Sequence, residues 1–556
     1  MNSHCTPPAE KTNAFSSFRT PFIIAACIIP TILVFLSFDY GITWDEWIQN
    51  HYGRLILRYF MSWGQSKDCL TEIQSQYLYG GLFDTLCNAI YALIFFFGKI
   101  STYVQYSFNF DIVLPHLFDT RHVINALFGF AAILWTGLLT RKVAGWRAGL
   151  IALLLLFLSP RFFGNSMNNP KDIPFAAAYI FSIYYLVSFL LELPKPRLRT
   201  ALFLALGIAL SINIKIGGIL ILTYLYFLTA VLTGWALLRK NKIHWAYTGG
   251  LLFLITVTGY LGGMLFWPYG LENPIKNPIL ALNTLSQFTS AKGSLLFDGR
   301  QIPYDQTPWY YLPKWILIST PFSVLTGLGL FAVTVTGVIK KISFKSTAAI
   351  AFSACFPLFY IIYKKSVVYD SWRHVLFVYP LFVILAALGW EYCLRILKNK
   401  AHALAAGALL GLQLFFPLGW MVLNHPHEYI YFNSLTGGLH GAFGKYETDY
   451  WGNSLRAGTE WLATDYLKSG AEKPIIIRSD GELISSAYYL VKLLGNRYIP
   501  YSPSRPDQWD YYISLPRGIS PEKLLEGEWP PKGTVHTIDA DGVPLCAIVK
   551  NKKIPS

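Results

Sequence analysis

The chain has 556 residues, of which 53% are hydrophobic, 16% aromatic and only 14% charged, and its mean hydropathy is +0.39. Soluble domains carry about a quarter charged residues, so the composition excludes a soluble enzyme and indicates a polytopic membrane protein. The net charge of +15 does not indicate nucleic-acid binding, because the basic residues fall in small clusters between apolar runs, as the positive-inside rule produces.

Taken in order, residues 1–20 are polar, with Lys11 and Arg19, and lead into an apolar run from Phe22 to Phe38. No small-residue cleavage site follows, so this run is expected to be an anchoring helix and not a removed signal peptide. A spanning helix needs about 20 apolar residues, fewer when tilted or packed among others. Spans are predicted at roughly 21–38, 121–140, 148–160, 174–191, 200–213, 216–236, 246–266, 316–339, 347–363, 374–392 and 402–423. Placing the basic clusters at Lys11/Arg19, Arg141/Lys142/Arg147, Lys195/Arg197/Arg199, Arg239/Lys240/Lys242, Lys340/Lys341/Lys345 and Arg395/Lys398/Lys400 in the cytoplasm gives a consistent alternation for eleven spans. One further apolar run, 82–98, breaks that parity and is expected to be an interfacial or re-entrant helix. The short runs 148–160 and 200–213 also suit broken helices enclosed by protein.

This topology separates the acidic residues. Residues 1–423 contain 16 Asp and Glu, and only Glu10, Glu192 and Glu391 fall on the cytoplasmic side. Acidic residues contribute little to orientation, so a polar site on the outer face is the expected cause. From about His425 the composition becomes balanced in charge, and strand-like runs at 474–477, 511–514 and 545–549 flank a helical stretch near 484–494. The expected division is a membrane domain over 1–423 and a small soluble α/β domain over 424–556 on the outer, periplasmic face.

Four outward-facing stretches carry candidate chemistry. Thr43-Trp44-Asp45-Glu46-Trp47 places two carboxylates between tryptophans at the membrane surface; a solvated loop with interfacial anchors and a functional acidic pair are both open readings. Asn168-Asn169-Pro170-Lys171-Asp172-Ile173-Pro174 forms a rigid polar turn between two short spans. Tyr369-Asp370-Ser371-Trp372-Arg373-His374 sets a guanidinium just inside an apolar boundary, where it needs an anion or a route back to water. His425, His427 and Glu428 have a spacing that suits no standard zinc site, and the stretch through Gly452 is expected to form an aromatic-rich seam docking the soluble domain. The cysteines at 5, 27, 69, 87, 355, 393 and 546 make no metal pattern. Cys69 and Cys87 can pair only if both face an oxidising side, and unpaired thiols are the simpler reading.

Together these residues resemble the GT-C superfamily of membrane glycosyltransferases, in the bacterial branch akin to protein O-mannosyltransferases and lipid A aminoarabinose transferases (the family 39-like branch). The features that match are Asp45-Glu46 in the first outer loop, Asp172 in an outer turn, Arg373 in an outer Arg-(aromatic)-…-Pro pattern ending at Pro380, and the HPHEYIYFN and YETDYWG stretches. The resemblance implies a GT-C-like polytopic α-helical membrane protein of about eleven spans plus an interfacial helix, sited in a bacterial inner membrane with its N-terminus cytoplasmic. It implies inverting transfer of a sugar from a polyprenyl-phosphate donor to a protein, lipid or glycan hydroxyl on the outer face, with no cofactor and no metal required. Asp45 is then the general base, Glu46 tunes it or positions the loop, and Asp172 orients the acceptor or assists. Arg373 holds the departing phosphate, with Lys171, Lys215 and His374 as further phosphate-binding candidates. His374 stands where the family usually has Tyr, and Lys215 also suits simple snorkelling. The rival readings are a lipid or polysaccharide transporter and an O-antigen polymerase or ligase using a diphosphate-linked donor.

Overall fold

Long apolar runs in a chain that must satisfy its own backbone polar groups become helices, and helices dominate the computed structural model, which describes residues 18–73, 75–100, 103, 114–240, 244–287, 293–480 and 483–551. Cys5, Glu10, Lys11, Asp111 and Lys242 from the counts above lie outside the described residues. The helices used below are α1 (Arg19–Leu36), α2 (Trp44–Met61), α3 (Leu82–Phe95), α4 (Leu117–Ala144), α5 (Trp146–Phe157), α6 (Pro160–Asn168), α7 (Asp172–Glu192), α8 (Leu198–Ile212), α9 (Leu220–Leu238), α10 (Trp245–Gly262), α11 (Phe322–Lys341), α12 (Phe344–Lys364), α13 (Tyr379–Ile396), α14 (Lys400–Leu423), α15 (Ser454–Lys468) and α16 (Leu483–Leu494).

Among the described residues, eight segments, built on α1, α4, α7, α9, α11, α12, α13 and α14, are long and apolar enough to cross a membrane, and α5 with α6 makes a ninth bent by 66°. All eleven predicted runs are helical, but the count of eleven spans is not reached on length and apolarity alone. Helix α8 has 15 residues, about 22 Å at 1.5 Å per residue against a core of about 30 Å. The sequence of α10 is diluted by Thr, Gly and Tyr. Two predicted runs are broken by proline. The 148–160 run ends at Phe157, and Pro160 starts α6 in a new direction, the first helical turn being where proline is tolerated. The 316–339 run is a short helix, Tyr311–Ser319, separated from α11 by Thr320-Pro321, since the residue before a proline is pushed out of the helical region.

Helix α3, the 82–98 run, has 14 residues, about 21 Å, too short to span. Its Phe83, Asp84, Cys87, Asn88 and Tyr91 are buried. It lies against α2 so closely that a Cβ on Gly53 would meet the Asp84 backbone at 2.4 Å. Asn88 Nδ2 donates to Asn50 O at 3.1 Å, and Arg121 of α4 reaches Asp84 at 2.8 Å.

Helices α7 and α13 are almost wholly buried within the protein, whereas α1, α11 and α14 leave most of their surface exposed on its outside. The two enclosed helices begin at the same end of the bundle: α7 opens there on Asp172, and the 3-10 turn Arg373–Val378 leads into α13 there. After the last span, a five-stranded sheet forms in the order β4-β3-β5-β7-β6, numbered after a hairpin of β1 (Ser294–Phe297) and β2 (Arg300–Pro303). Here β3 (Ile475–Ser479) runs parallel to β4 (Tyr498–Pro500) and to β5 (Tyr511–Ser514), while β7 (Val543–Lys550) is antiparallel to β5 and to β6 (Thr534–Ala540). Leu455 and Leu462 of α15, Leu490 of α16, and Ile477, Ile513, Cys546 and Ile548 of the strands form its own apolar core. The chain is thus an integral, polytopic α-helical membrane protein carrying a small C-terminal sheet unit. The six described cysteines are free; Cys69 and Cys87 are buried and unbridged.

Candidate functional site

Thr43-x-x-Glu46 is a capping box. The Thr43 backbone N–H donates to Glu46 Oε2 at 2.7 Å, and the Thr43 side chain answers at the Glu46 backbone. His122 Nε2 meets the same carboxylate at 3.0 Å. Glu46 is therefore buried behind the start of α2, fixing where that helix begins and not facing the cluster described next. Asp45, in the same turn, points the other way. Trp44 Nε1 donates to Tyr450 O at 2.7 Å. Gly452 (φ +68°) lets the backbone pass under that indole, where a Cβ would lie 3.0 Å from Trp44.

The turn before α7 is held by amides. Asn169 Nδ2 donates to Asn165 Oδ1 at 2.8 Å and to Asp172 Oδ2 at 2.9 Å, and the Asp172 N–H donates back to Asn169 Oδ1 at 3.1 Å. Lys215 binds Asp172 Oδ1 directly. Asp172, 2% exposed, is thus a saturated carboxylate that positions two cations, Lys215 and Arg373. Lys171 turns aside, donating to Gln76 Oε1 at 2.9 Å with its ammonium 4.0 Å from the Tyr79 ring centroid.

Arg373 is the hub. Its Nη1 lies 3.8 Å from Asp45 Oδ2 and 3.8 Å from Asp172 Oδ2, and its Nη2 is 3.1 Å from Asp370 Oδ2. The guanidinium packs between the Tyr369 and Trp451 rings, 5.0 and 4.8 Å from their centroids. Among the described residues its Nε is buried without a hydrogen-bond partner, as is Nδ1 of His374, whose ring stands edge-on to Tyr369 at 4.7 Å. Asp45 is the most open member, with 39% of its side chain accessible. It is ringed closely enough that loss of hydration raises its carboxyl above the ordinary aspartate value, while Arg373 and Lys171 pull it back. Burial brings the Lys171 ammonium down to about 8, against the pull of Asp84 and Asp45.

Asp45, Asp172, Arg373, His374 and Lys215 therefore converge at one end of the bundle, Lys171 borders them, and Glu46 stands behind as a cap. Sequence reasoning missed Arg517, which arrives from the loop after β5. Its Nη2 lies 2.7 Å from Asp370 Oδ1 and 3.9 Å from Glu447 Oε1, and its Nη1 donates to Tyr450 O at 2.5 Å. Burial, with the Asp370 charge beside it, pushes the Glu447 carboxyl up to about 8, and Arg517 opposes this. No local pattern in Leu515-Pro516-Arg517-Gly518 announces that convergence.

The 425–453 stretch ties the pieces together. Asn453 Oδ1 accepts from Gly41 N at 2.8 Å and from Asn168 Nδ2 at 3.1 Å, and Asn453 Nδ2 donates to Pro426 O at 2.9 Å. The His425 ring bridges Glu428 at 2.8 Å and Asp39 at 3.0 Å, while His427 meets Asn453 at 3.2 Å. The two histidines thus serve separate partners. Among the described residues no group of three or more His, Cys, Asp or Glu side chains is arranged to hold a metal ion. A cavity of about 200 Å³ opens beside Glu447 and Arg517, lined also by Tyr446, Tyr450 and Leu296.

Residues 119–260 match the model of the dolichyl-phosphate-mannose-protein mannosyltransferase family. That match agrees with the resemblance to GT-C membrane glycosyltransferases read from the sequence, and it includes Lys171, Asp172 and Lys215. No curated protein matches the chain. Among solved structures, ArnT from Cupriavidus metallidurans bound to undecaprenyl phosphate is similar at 13% identity, with 96% of this chain and 98% of that chain covered and a TM-score of 0.48. AglB, the archaeal oligosaccharyltransferase from Archaeoglobus fulgidus, in complex with an inhibitory peptide and a dolichol-phosphate, is similar at 13% identity, over 97% of this chain and 75% of that one, with a TM-score of 0.49. The arabinofuranosyltransferase AftD from Mycobacteria is similar at 13% identity, over 95% of this chain and 41% of that one, with a TM-score of 0.40.

Proposed function

We propose that the chain is an inverting glycosyltransferase that moves a sugar from a polyprenyl-phosphate donor to an acceptor hydroxyl at the Asp45–Arg373 cluster. The observation that carries this reading is the facing pair itself. A carboxylate that accepts no hydrogen bond from another described residue stands 3.8 Å from a guanidinium whose Nε has no acceptor. One group is able to take a proton and the other to hold an anion. The family description that matches 119–260 names a polyprenyl monophosphate sugar as donor and a protein as acceptor, and this supports the donor class.

In the proposed reaction the sugar enters between the two groups, replacing their direct contact. The acceptor O–H gives its proton to Asp45 as its oxygen attacks the anomeric carbon. The bond from that carbon to the phosphate oxygen breaks, and its electron pair leaves with the phosphate. The configuration inverts because attack and departure take place on opposite faces of the sugar. Hydrated only in part, Asp45 holds its proton more readily than an ordinary aspartate, which suits a general base. Arg373 meets the charge that develops on the leaving oxygen, and a fixed donor in a recess shielded from water is worth more there than in solution. Asp172 serves as the post that holds Lys215 and Arg373 in place. Lys171, with its ammonium brought down to about 8 and held on Gln76, is a further cation at the border of the recess.

The outer face is the proposed location. Helices α7 and α13 both begin at the site, and the far end of the bundle carries Arg147 and Arg395 on Glu391, at 2.7 and 3.0 Å, together with Arg141 and Lys142. By the positive-inside rule that far end is cytoplasmic. A transporter would keep its charges near mid-membrane, whereas these gather at one end. The test is transfer by the purified protein from labelled polyprenyl-phosphate sugars to a panel of protein, lipid and glycan acceptors. A new glycosidic bond supports the reading. Transport of the lipid without bond formation, or turnover of diphosphate-linked donors alone, contradicts it.

A further inference from the structure

The C-terminal sheet unit reaches the site through Arg517. Arg517 lies in the loop after β5, and both ends of its guanidinium are engaged: Nη1 donates to Tyr450 O at 2.5 Å, and Nη2 binds Asp370 Oδ1 at 2.7 Å. The other oxygen of Asp370 holds Arg373 Nη2 at 3.1 Å. Asp370 is 5% exposed, so its link to Arg373 is enclosed and little screened by water, while the Arg517 side chain at the other end is about a third exposed.

The backbone at this point is unusual. Asp370 (φ +54°) and Ser371 (φ +63°) are two successive non-glycine residues in the left-handed region. Such a conformation is unfavourable for a side-chain-bearing residue and persists only where its surroundings over-determine it. The surroundings here are identifiable. Trp372 Nε1 is pinned on Ser319 Oγ at 2.7 Å on one side, and the Asp370 carboxylate is gripped by two arginines on the other. The left-handed pair turns the chain so that Arg373 enters the recess toward Asp45 and Asp172. Aspartate enters this region more readily than most residues, so the residue type helps at Asp370, but a serine directly after it has no such preference.

We propose that Arg517 is a positioning residue: it fixes Asp370, and through it the aim of Arg373, so that the C-terminal unit completes the phosphate grip. This rests on the reading of Arg373 as that grip. Arg517 does not itself touch the phosphate, because both ends of its guanidinium are already occupied by protein oxygens. The unit is then part of the anion site as well as a neighbour of it.

A binding cycle tests this with undecaprenyl phosphate as the probe, titrated into the full-length protein in detergent, with thermal stability followed in parallel. The variants are Arg517→Ala and Arg517→Lys, each alone and each combined with Arg373→Lys. Direct couplings of this kind span several-fold to a hundredfold. We expect Arg517→Ala to weaken binding about tenfold in the wild-type background and less than twofold when Arg373 is already Lys. Arg517→Lys keeps the charge but cannot bridge Tyr450 and Asp370 together, and should weaken binding several-fold without a matching fall in stability. An equal loss in both backgrounds would overturn the proposal, because it would mean that Arg517 acts by its charge or directly on the ligand. Unchanged binding in Arg517→Ala would overturn it as well. If the wild type and Arg373→Ala bind the probe equally, the reading of Arg373 fails first, and the two failures are told apart. Should Arg517→Ala not fold, the Arg517→Lys arm alone decides by the same comparison.

Discussion

Replacing Arg373 by Lys separates a phosphate grip from a residue that only reaches toward the membrane surface. In the structure the guanidinium works in two directions at once, with Nη2 on Asp370 at 3.1 Å and Nη1 turned toward Asp45 and Asp172 at 3.8 Å. A lysine has one ammonium and cannot serve both. Drawn to Asp370, it leaves the recess without the donor that meets the phosphate. A hydrogen bond to a charged group contributes about 1.5–3 kcal/mol, so losing one in the transition state slows transfer roughly tenfold to a hundredfold. Arg373→Ala should be slower still, yet folded. Asp370 keeps Arg517 at 2.7 Å and Asp172 keeps Lys215, so neither carboxylate is left buried without a cation, the situation that makes ion-pair truncation costly. The assay is single-turnover transfer with donor affinity at matched protein levels in membranes. Equal rates for wild type and Lys would refute the two-donor grip, and a normal rate for Ala would remove Arg373 from the phosphate site.

Further expectations concern the surroundings of the site. Glu447 has its folded-state carboxyl pushed from 4.5 to about 8, so its contribution to stability is fully present below about pH 4.5 and is lost as pH rises through about 8. Glu447→Gln should raise the melting temperature at pH 8–9 and flatten that decline, and an unchanged profile would count against a carboxyl buried at a cost. Asn453→Ala removes bonds to Gly41, Asn168 and Pro426 and leaves buried partners unpaired. A loss of about 2–4 kcal/mol is expected in thermal or denaturant unfolding, and a loss below 0.5 kcal/mol would show that the seam is held elsewhere. Phe97, just past α3, is 90% exposed. A cysteine there should react with an impermeant thiol reagent from the outer side, and labelling only from the cytoplasm would make α3 a span.

Much of this was legible in the sequence for physical reasons. Hydropathy located every apolar helix, because lipid leaves no other way to satisfy the backbone. It failed at Pro321, where a continuous apolar run hides a break, whereas the short run 148–160 suited a broken helix and α5 and α6 form one, bent by 66°. In the sheet unit, the runs at 474–477, 511–514 and 545–549 became the buried strands β3, β5 and β7. The edge strands β4 and β6 were missed, one having three residues ending in proline and the other being half-exposed. Asp45, Asp172 and Arg373 stood out because charges beside apolar runs are expensive. The pattern Thr43-x-x-Glu46 already carried the signature of a capping box, which accounts for Glu46 without catalysis. Arg517 was not legible, since an arginine in a polar domain gains its role only when the tertiary fold brings it to Asp370.

The most direct measurement is the single-turnover rate of Asp45→Asn with a labelled polyprenyl-phosphate sugar, alongside binding of undecaprenyl phosphate by the same protein. Removing a positioned base costs about a hundredfold to ten-thousandfold in rate, while Arg373 remains to hold the phosphate. Asp45→Asn should insert and bind the lipid phosphate within a few-fold of wild type but form almost no glycosidic bond. Transfer within a few-fold of wild type, or a wild-type protein that forms no bond from any polyprenyl-phosphate sugar while it moves the lipid, would contradict it.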